Sequence, residues 1–258
     1  MRGTVCSETV ALLMRCMQDA ISNTELSTSY KNKIITILKS ISKYISLHYE
    51  ANDAARGITK FKSFEIKEEM QTWTPSEFAF FLKYVDREIY RDLFHTLYYT
   101  GARIGEIRAL YKSDLIDNYI SITKSIRHEI DGITSPKNQY SIRKVTLDSS
   151  TLEILNKYSK MKGLFLFGND KPLSESSIGR IFRGYIKVVQ DTDPSFKKLR
   201  IHDLRHSHAT SLINNGANIV AVSKRLGHAN IEITLKTYTH LFKENELKLI
   251  EIIENIKY

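Results

Sequence analysis

The chain has 258 residues, of which 42% are hydrophobic, enough for one large domain or two smaller ones with buried cores. Its formal net charge of +9 favours an anionic partner, either nucleic acid or a membrane surface. Neither a membrane span nor a signal peptide is expected, because no apolar run is long enough and Arg15 and Asp19 follow the short run at residues 10–14.

Two amphipathic helices are predicted over residues 4–22 and 29–49. The first contains the only cysteines, Cys6 and Cys16, which fit a reducing compartment better than a disulfide framework and predict a cytoplasmic protein. The second carries basic side chains around its apolar stripe: Lys31, Lys33, Lys39 and Lys43. These lysines form either a solvated face or a surface that neutralises DNA phosphates.

A linker is predicted over residues 57–70, because this charge-rich stretch has few apolar anchors. The following helix is expected to begin with a capping box, in which Thr74 caps, Pro75 takes the first position and Glu77 reaches back to the Thr74 amide. The domain boundary is therefore placed near Met70.

Two aromatic-rich helices over residues 78–85 and 90–99 are expected to pack in a core. The stretch that follows, TGARIGEI, places Arg103 in the first turn of a new helix, among small and apolar neighbours. Such an arginine has little room to be merely solvated. Glu106, three residues later, is expected either to orient Arg103 or to cap the helix.

Alternating apolar residues between positions 119 and 147 predict a three-stranded antiparallel meander. Its turns are expected at Asp131-Gly132 and at residues 135–138, which places Lys137 in the second turn. Lys124 and Lys144 lie nearby. Most turn lysines are solvated, and the residues alone give none of the three a role.

Helices are predicted next over residues 152–161 and 174–189, with a short extended piece at 164–168 and a cap at Ser174. Arg180, Arg183 and Lys187 fall along one side of the second helix. That side is either a solvated face or a surface that enters a DNA groove.

Residues 199–241 collect the side chains that suit phosphate chemistry. His202 and Arg205 are three residues apart at the start of a predicted helix and therefore share a face. Gly227 is the expected C-cap of the next helix; His228 follows it, and Tyr238 comes ten residues later. Arginine and histidine side chains suit the binding of a phosphate, and the tyrosine phenol suits the role of a nucleophile.

Three motifs in this chain resemble the signature boxes of the tyrosine recombinases, most closely the integrases of phages and conjugative elements. They are TGARIGE, HDLRH and LGHANIEITLKTY, and they occur in the family's order. The resemblance covers roughly residues 70–258. It implies a mostly α fold with a small antiparallel β-sheet, in which a helical DNA-binding module, residues 1–56, precedes a catalytic domain, residues 71–258. The module is short for that role.

The resemblance also implies a role for each motif residue. Arg103, Arg205 and His228 would bind the scissile phosphate, and Tyr238 would attack it to form a 3′-phosphotyrosine. His202 would accept the tyrosine proton, and Lys137 would protonate the departing 5′ oxygen. No metal or cofactor is expected, since two arginines supply the positive charge. The other histidines of this region are interpreted as packing or surface residues: His206, His208 and His240.

The expected partners are double-stranded DNA and further copies of the chain. DNA contacts are predicted for Lys31, Lys33, Lys39, Lys43, Lys144, Arg180 and Arg183. A last helix, residues 244–257, carries too much apolar surface for a solvated tail. It folds onto its own domain or, as the resemblance implies, docks on a neighbour in a tetramer on DNA. An accessory DNA-bending or excision factor is also expected.

Three other functions are open, one of which is a catalytically silent relative that acts as a regulator. A non-catalytic helix-turn-helix protein is suggested by the stretch around Gly216, but that reading leaves Arg103, Lys137 and Tyr238 unexplained. A type IB topoisomerase uses similar chemistry without paired sites. A site-specific recombinase accounts for all the motif residues.

Overall fold

The structure, a computed structural model, describes residues 2–49, 51–62, 70–126, 132–134, 141–239, 250 and 253–256, with side chains from residue 12 onward. The chain divides into two compact units, Met1–Glu69 and Met70–Tyr258. Within the described ranges, none of the helices combines the length and the apolar character needed to cross a bilayer.

The N-terminal unit is built on two helices, α1 (Arg2–Ser22) and α2 (Thr28–His48), as the periodicity predicts. Ser27 caps α2 by accepting a hydrogen bond from the Tyr30 amide. Ile35 of α2 is completely buried against Ala55 and Ile58, which lie in the segment after the helix.

The segment after α2 is hydrogen-bonded to that helix. The Asn32 side chain accepts a hydrogen bond from the Phe61 amide at 2.8 Å and donates one to the Phe61 carbonyl at 3.0 Å. Lys39 donates to the Ile58 carbonyl at 2.6 Å. Residues 57–62 are therefore packed on their own unit, because the few apolar anchors of this stretch, Ile58 and Phe61, meet the α2 core.

The C-terminal unit is mostly helical with two small antiparallel sheets, which confirms the predicted fold class. Its helices are α3 (Pro75–Lys83), α4 (Glu88–Thr100), α5 (Ile104–Arg108), α6 (Ser149–Ser159), α7 (Glu175–Thr192), α8 (Asp203–Asn214), α9 (Ile219–Leu226) and α10 (Ile231–Tyr238). The capping box predicted for α3 is present with both of its hydrogen bonds. Ser174 precedes α7 as predicted, but its hydroxyl pairs with Ser176 instead of capping an amide.

An aromatic core joins α3, α4 and α7, which confirms the packing role predicted for the aromatic residues. Trp73 is 1% exposed and lies 4.9, 5.8 and 5.0 Å from the rings of Phe81, Phe182 and Phe196. Its indole N–H donates to the Lys197 carbonyl at 3.0 Å. Burying such large rings supplies much of the stability of the unit.

The predicted meander is wrong in its strand pairing. The strands are β1 (Leu115–Ile116), β2 (Tyr119–Ile122), β3 (Ser125–Ile126), β4 (Ile133–Thr134) and β5 (Arg143–Thr146). One sheet has the order β1-β2-β5, and β3 pairs with β4 in a separate sheet. Ile120 and Val145 are paired and both buried, so their shared core position decides the pairing of β2 with β5. Alternation along the sequence does not reveal which strands are neighbours.

A buried contact between α4 and α8 fixes the ends of several elements. Gly101, the left-handed C-cap of α4, lies so close to α8 that an added Cβ would be 2.5 Å from His208 Cδ2. Arg225 of α9 donates to His208 Nε2 at 3.0 Å and to the carbonyls of Tyr99 and Thr146 at 3.0 Å each. One guanidinium thus ties α4, β5 and α9 to His208.

Acidification is expected to destabilise the C-terminal unit because folded His208 is neutral. Burial, and then the Arg225 charge, lower the pKa of His208 from 6.5 to about 3. The unfolded chain binds this proton first, so the stabilisation is complete above about pH 6.5 and is lost as the pH falls towards 3. His208→Gln keeps an acceptor without titrating, and should reduce the stability lost between pH 7 and pH 5 by on the order of 1 kcal/mol.

Urea unfolding followed by the fluorescence of Trp73, the only tryptophan, measures this difference within the C-terminal unit. His48→Gln, at an exposed position of the N-terminal unit, is the matched control and should change nothing. An unaltered pH dependence in His208→Gln would contradict the prediction.

Candidate active site

An open cavity of about 630 Å³ lies where the start of α5, strand β3, the start of α8 and the α9–α10 connection meet. Three of the predicted site residues line it: Arg103, His202 and His228. They come from separate parts of the chain, so the cavity exists only in the folded unit. Two histidines and an arginine around open space suit an anionic group.

Arg103 is the N-cap residue of α5, and its side chain is 38% exposed at the cavity. Its Nη1 donates to Glu106 Oε1 at 2.9 Å, while its backbone amide donates to Glu106 Oε2 at 2.8 Å. Both roles predicted for Glu106 are therefore realised, since the carboxylate orients the side chain and caps the helix. A planar guanidinium held at one edge leaves its other N–H groups to face the cavity.

Arg143, on β5, is a second arginine that pairs with Glu106, and the sequence did not reveal it. Its Nη2 and Nη1 donate to Glu106 Oε2 and Oε1 at 2.8 and 3.1 Å, and the two side chains are only 6% and 4% exposed. Nε donates to the Arg225 carbonyl at 2.6 Å. Burial would raise the pKa of Glu106, but the hydrogen bond and charge of Arg143, and then those of Arg103, hold the pKa below its usual value.

Arg205 is buried, is not among the residues that line the cavity, and has only carbonyl partners among the described residues. Its Nη1 donates to the Gly101 carbonyl at 2.8 Å and its Nη2 to the Leu226 carbonyl at 2.6 Å. In the part of the chain that the structure describes, it makes no ion pair with a carboxylate. Burial, and then the Arg103 charge, lower the pKa of Arg205 to about 9, so it is still charged at neutral pH. The site therefore holds a buried cation that an incoming anion would neutralise.

His228 is held by Thr234, a second residue that the sequence analysis did not single out. Its Nδ1 lies 2.7 Å from the Thr234 hydroxyl, which fixes the ring while His228 lines the cavity. Burial, and then the charges of Arg205 and Arg103, lower the pKa of His228 to about 4, so the ring is neutral at pH 7. A neutral imidazole fixed at Nδ1 suits a hydrogen bond from Nε2.

His202 lies at the surface end of the cavity as the N-cap residue of α8. Desolvation by the surrounding protein, and then the charge of Arg205, lower its pKa below 6.5. Its ring meets the ring of His206 edge to face, with centroids 5.1 Å apart.

Tyr238 is buried, with 1% exposure, in an apolar cluster formed by Ala209, Ile213, Val222 and Leu226. Its ring packs as a core tyrosine does, and it is not among the residues that line the cavity. Its hydroxyl, however, lies 3.0 Å from Nδ1 of His206. His206, interpreted from the sequence as a packing or surface residue, thus packs against Tyr238 and also makes a polar contact with it. His208 is buried, and His240 lies outside the described residues.

Lys137 also lies outside the described residues. Of the two other lysines near the predicted turn, Lys124 pairs with Asp114 and lies over the Tyr111 ring at 4.0 Å. Lys144 is exposed on β5, with Nζ 4.6 Å from the centre of the Tyr119 ring. Both have partners away from the cavity.

The predicted DNA-contacting residues on α2 and α7 differ in exposure and in their hydrogen bonds. Lys33, Lys43, Arg180 and Arg183 are exposed. Lys31 donates to the Ser22 carbonyl at 2.8 Å, and Lys39 to the Ile58 carbonyl. These two lysines therefore stabilise the N-terminal unit internally.

The described residues contain no group of three or more His, Cys, Asp or Glu side chains arranged to hold a metal ion. The residues that the sequence missed carried weak signals. Arg143 occupies a strand, where an inward-facing arginine looks like any other basic residue. His206 adjoins Arg205 and was hidden among neighbouring histidines, and Thr234 lies inside the third motif.

Residues 73–245 match the phage integrase family. The ICEBs1 integrase of Bacillus subtilis (strain 168) is 26% identical over 213 residues, which cover 74% of this chain and 56% of that protein. Tyrosine recombinase XerD of Chlamydia trachomatis serovar D is 31% identical over 153 residues, which cover 59% and 49%. The chain thus spans about half the length of the curated relatives it matches.

Solved structures share the fold. The Tn1549 transposon integrase (residues 82–397) in complex with circular intermediate DNA aligns with a TM-score of 0.74 and 21% identity, covering 95% of this chain and 85% of that one. A lambda integrase tetramer bound to a Holliday junction aligns with a TM-score of 0.61 and 17% identity, covering 85% and 64%. At these identities the likeness concerns the fold.

The carboxylate of Glu106 is expected to be the main stabiliser of the buried cations. Glu106→Gln keeps the shape but leaves Arg143 buried without a counter-charge, which should cost roughly 3–5 kcal/mol of unfolding free energy. Adding Arg143→Met removes the cation that has lost its counter-charge, so the double variant should be more stable than Glu106→Gln alone. Urea unfolding with Trp73 fluorescence measures both.

Arg200→Met is the control, because the Arg200 side chain is 81% exposed in its pair with Asp203. This substitution should lower the unfolding free energy by less than about 1 kcal/mol. A double variant that is less stable than Glu106→Gln would refute the assignment of the charge network.

Proposed function

We propose, because this chain belongs to the phage integrase family, that it is a site-specific DNA recombinase that integrates or excises a mobile element. It would cleave and rejoin DNA strands through a 3′-phosphotyrosine intermediate and a Holliday junction. The relatives at the sequence level bear the names of an integrase, a transposase and a tyrosine recombinase.

The observation that carries the proposal is the excess of arginines over carboxylates in and behind the cavity, whose other lining carboxylate, Glu175, pairs with Arg108. Glu106 is shared by Arg103 and Arg143, while Arg205 has only carbonyl partners among the described residues. A phosphodiester would supply the missing negative charge. Because its non-bridging oxygens accept parallel N–H groups, two arginine forks suit it better than two lysines.

The charge arrangement also suits the chemical step. A phosphodiester is already anionic, so attack on phosphorus requires groups that stabilise the additional charge of the transition state. Arg103 and Arg205 would bind the non-bridging oxygens, and His228 would donate one further hydrogen bond. Tyr238 would then bond to phosphorus and conserve the phosphodiester energy in the protein–DNA linkage.

Two proton transfers accompany the exchange of bonds. Lys137 would protonate the departing 5′ oxygen, a role that rests on the family resemblance and on the predicted turn that holds this residue. The same resemblance implies that His202 accepts the tyrosine proton. The hydroxyl of Tyr238, however, is hydrogen-bonded to His206.

DNA would contact more of the chain than the cavity. The exposed cations of α7, Arg180 and Arg183, and Lys144 on β5 suit phosphate contacts. The N-terminal unit, with Lys33 and Lys43 exposed, would be a helical DNA-binding module. Contacts of this kind position DNA without reading its sequence.

We also propose a tetramer on paired sites, because the lambda integrase relative is a tetramer on a Holliday junction. The last helix would dock on a neighbouring copy. Most of it lies outside the described residues, but Ile250, Ile253 and Ile256 are 50%, 55% and 74% exposed. Apolar side chains left in water favour a partner surface. A DNA-bending or excision factor would assist assembly.

Covalent capture tests the proposed function. A nicked suicide duplex carrying the sequence that flanks this gene's mobile element should trap a denaturant-stable protein–DNA adduct. Tyr238→Phe should abolish the adduct and leave DNA binding intact, because the phenol oxygen is the attacking atom. Denaturing gels and band-shift assays measure the two properties.

Tyr185→Phe is the control, since the Tyr185 hydroxyl donates to Asp86 and should contribute nothing to cleavage. An adduct that survives Tyr238→Phe would place the nucleophile elsewhere, with Tyr185 and Tyr258 the next to be tested.

A substrate with sulfur at the 5′ bridging position tests Lys137. Lys137→Ala should slow cleavage of the ordinary duplex by about 10²-fold or more, because the alkoxide leaves without a proton. The sulfur substrate should restore the rate, since a thiolate leaves unprotonated. Lys144→Ala is the control and should cleave the ordinary duplex normally; rescue of Lys144→Ala instead would move the role to β5.

A further inference from the structure

The hydroxyl of Tyr238 has one polar partner among the described residues, and that partner is His206. The distance of 3.0 Å to Nδ1 is a normal hydrogen bond. A buried hydroxyl needs an acceptor for its proton, because leaving it unsatisfied costs free energy. With 1% of Tyr238 exposed, His206 occupies the place that water would take at a surface tyrosine.

His206 is also the histidine placed between the cavity and the tyrosine. It follows His202 by one helical turn of α8, and the two rings meet edge to face with centroids 5.1 Å apart. On its other side the His206 ring is 6.2 Å from the ring of Tyr238. The order His202, His206, Tyr238 therefore runs from the open cavity into the apolar cluster.

We propose that His206 accepts the phenol proton of Tyr238 when the hydroxyl oxygen attacks phosphorus. The inference rests on the proposed strand-cleavage function and names a residue that the sequence motifs did not assign. A base must lie within hydrogen-bonding reach of the proton that it takes, and His206 meets this condition before any DNA is bound.

The step balances in both directions. On cleavage, the O–H bond of Tyr238 breaks, its proton passes to Nδ1 of His206, oxygen bonds to phosphorus, and the 5′ oxygen departs with a proton from the proposed acid Lys137. On rejoining, a 5′ hydroxyl attacks the phosphotyrosine and returns its proton to neutral Lys137, and the leaving phenolate recovers its proton from the His206 imidazolium. No additional reactant is required.

Before attack, both groups are in the protonation state that the step requires. Burial, and then the neighbouring His202, lower the pKa of His206 to about 4, so the ring is neutral at pH 7 and has a free lone pair. Burial raises the pKa of Tyr238 to about 12, so the phenol keeps its proton until attack. A phosphodiester anion in the cavity would favour the imidazolium and so strengthen the base as the substrate binds.

Single-turnover cleavage of the suicide duplex tests the proposal with two His206 variants. His206→Ala should form the adduct about 10²-fold more slowly while binding DNA normally, and added imidazole should restore part of the rate. His206→Asn places an amide oxygen near the position of Nδ1, so it keeps the hydrogen bond but takes no proton. It should fold with Tyr238 buried and remain as slow as His206→Ala without imidazole.

Other results would overturn the assignment. A near-wild-type rate in His206→Asn would mean that the hydrogen bond only positions the phenol, and a faster rate in His206→Ala would mean that it restrains the phenol. Imidazole rescue of His202→Ala, with none for His206→Ala, would return the role to His202. Failure of the wild-type protein to form a Tyr238 adduct would instead reject the proposed function itself.

Discussion

The cavity depends on the hydrogen bonds and ion pairs that the Glu106 carboxylate accepts. This carboxylate receives the guanidinium of Arg103, the backbone amide at the start of α5 and the guanidinium of Arg143, all within 3.1 Å. A buried charge persists only when opposite charge and hydrogen bonds surround it. Because one carboxylate serves two arginines, the network remains positive, and Arg205 adds to that charge. The carboxylate that stabilises the two arginines therefore also leaves the site with an excess of positive charge.

Close backbone packing keeps this charged group in place. A Cβ added to Gly105 would lie 2.4 Å from the Ile126 carbonyl oxygen, and one added to Gly227 would lie 2.9 Å from Arg143 Nη1. Gly227 has a φ of 70°, which also favours glycine. The glycines of the motifs thus allow α5 to rest on β3 and the end of α9 to rest on Arg143. The arginines are fixed by packing as much as by charge.

The phenol is kept apart from the charged cavity. Tyr238 packs among apolar side chains of α8 and α9, whereas Arg103, His202 and His228 face open space. Burial keeps the phenol protonated, and the histidines stay neutral because their surroundings disfavour a further positive charge. The proposed nucleophile and the proposed phosphate site thus lie in different environments within one unit, and bound DNA would have to bring them together.

Much of this arrangement follows from local signals in the sequence. Helical periodicity, the capping box at Thr74 and the terminal glycines Gly101, Gly216 and Gly227 define the helices, because capping and left-handed turns depend on only a few neighbouring residues. The resemblance of three motifs to a known family selects Arg103, His202, Arg205, His228 and Tyr238 as a set, and the structure places them in one unit.

The tertiary structure alone decided the strand pairing and the partners of the site residues. Ile120 meets Val145 across a sheet, Arg143 meets Glu106 from another strand, and His206 meets a tyrosine 32 positions along the chain. Each contact joins residues distant in sequence, and such contacts leave no periodic or spacing signal. Arg143 and His206 looked ordinary because their importance lies in what surrounds them, and only folding determines those surroundings.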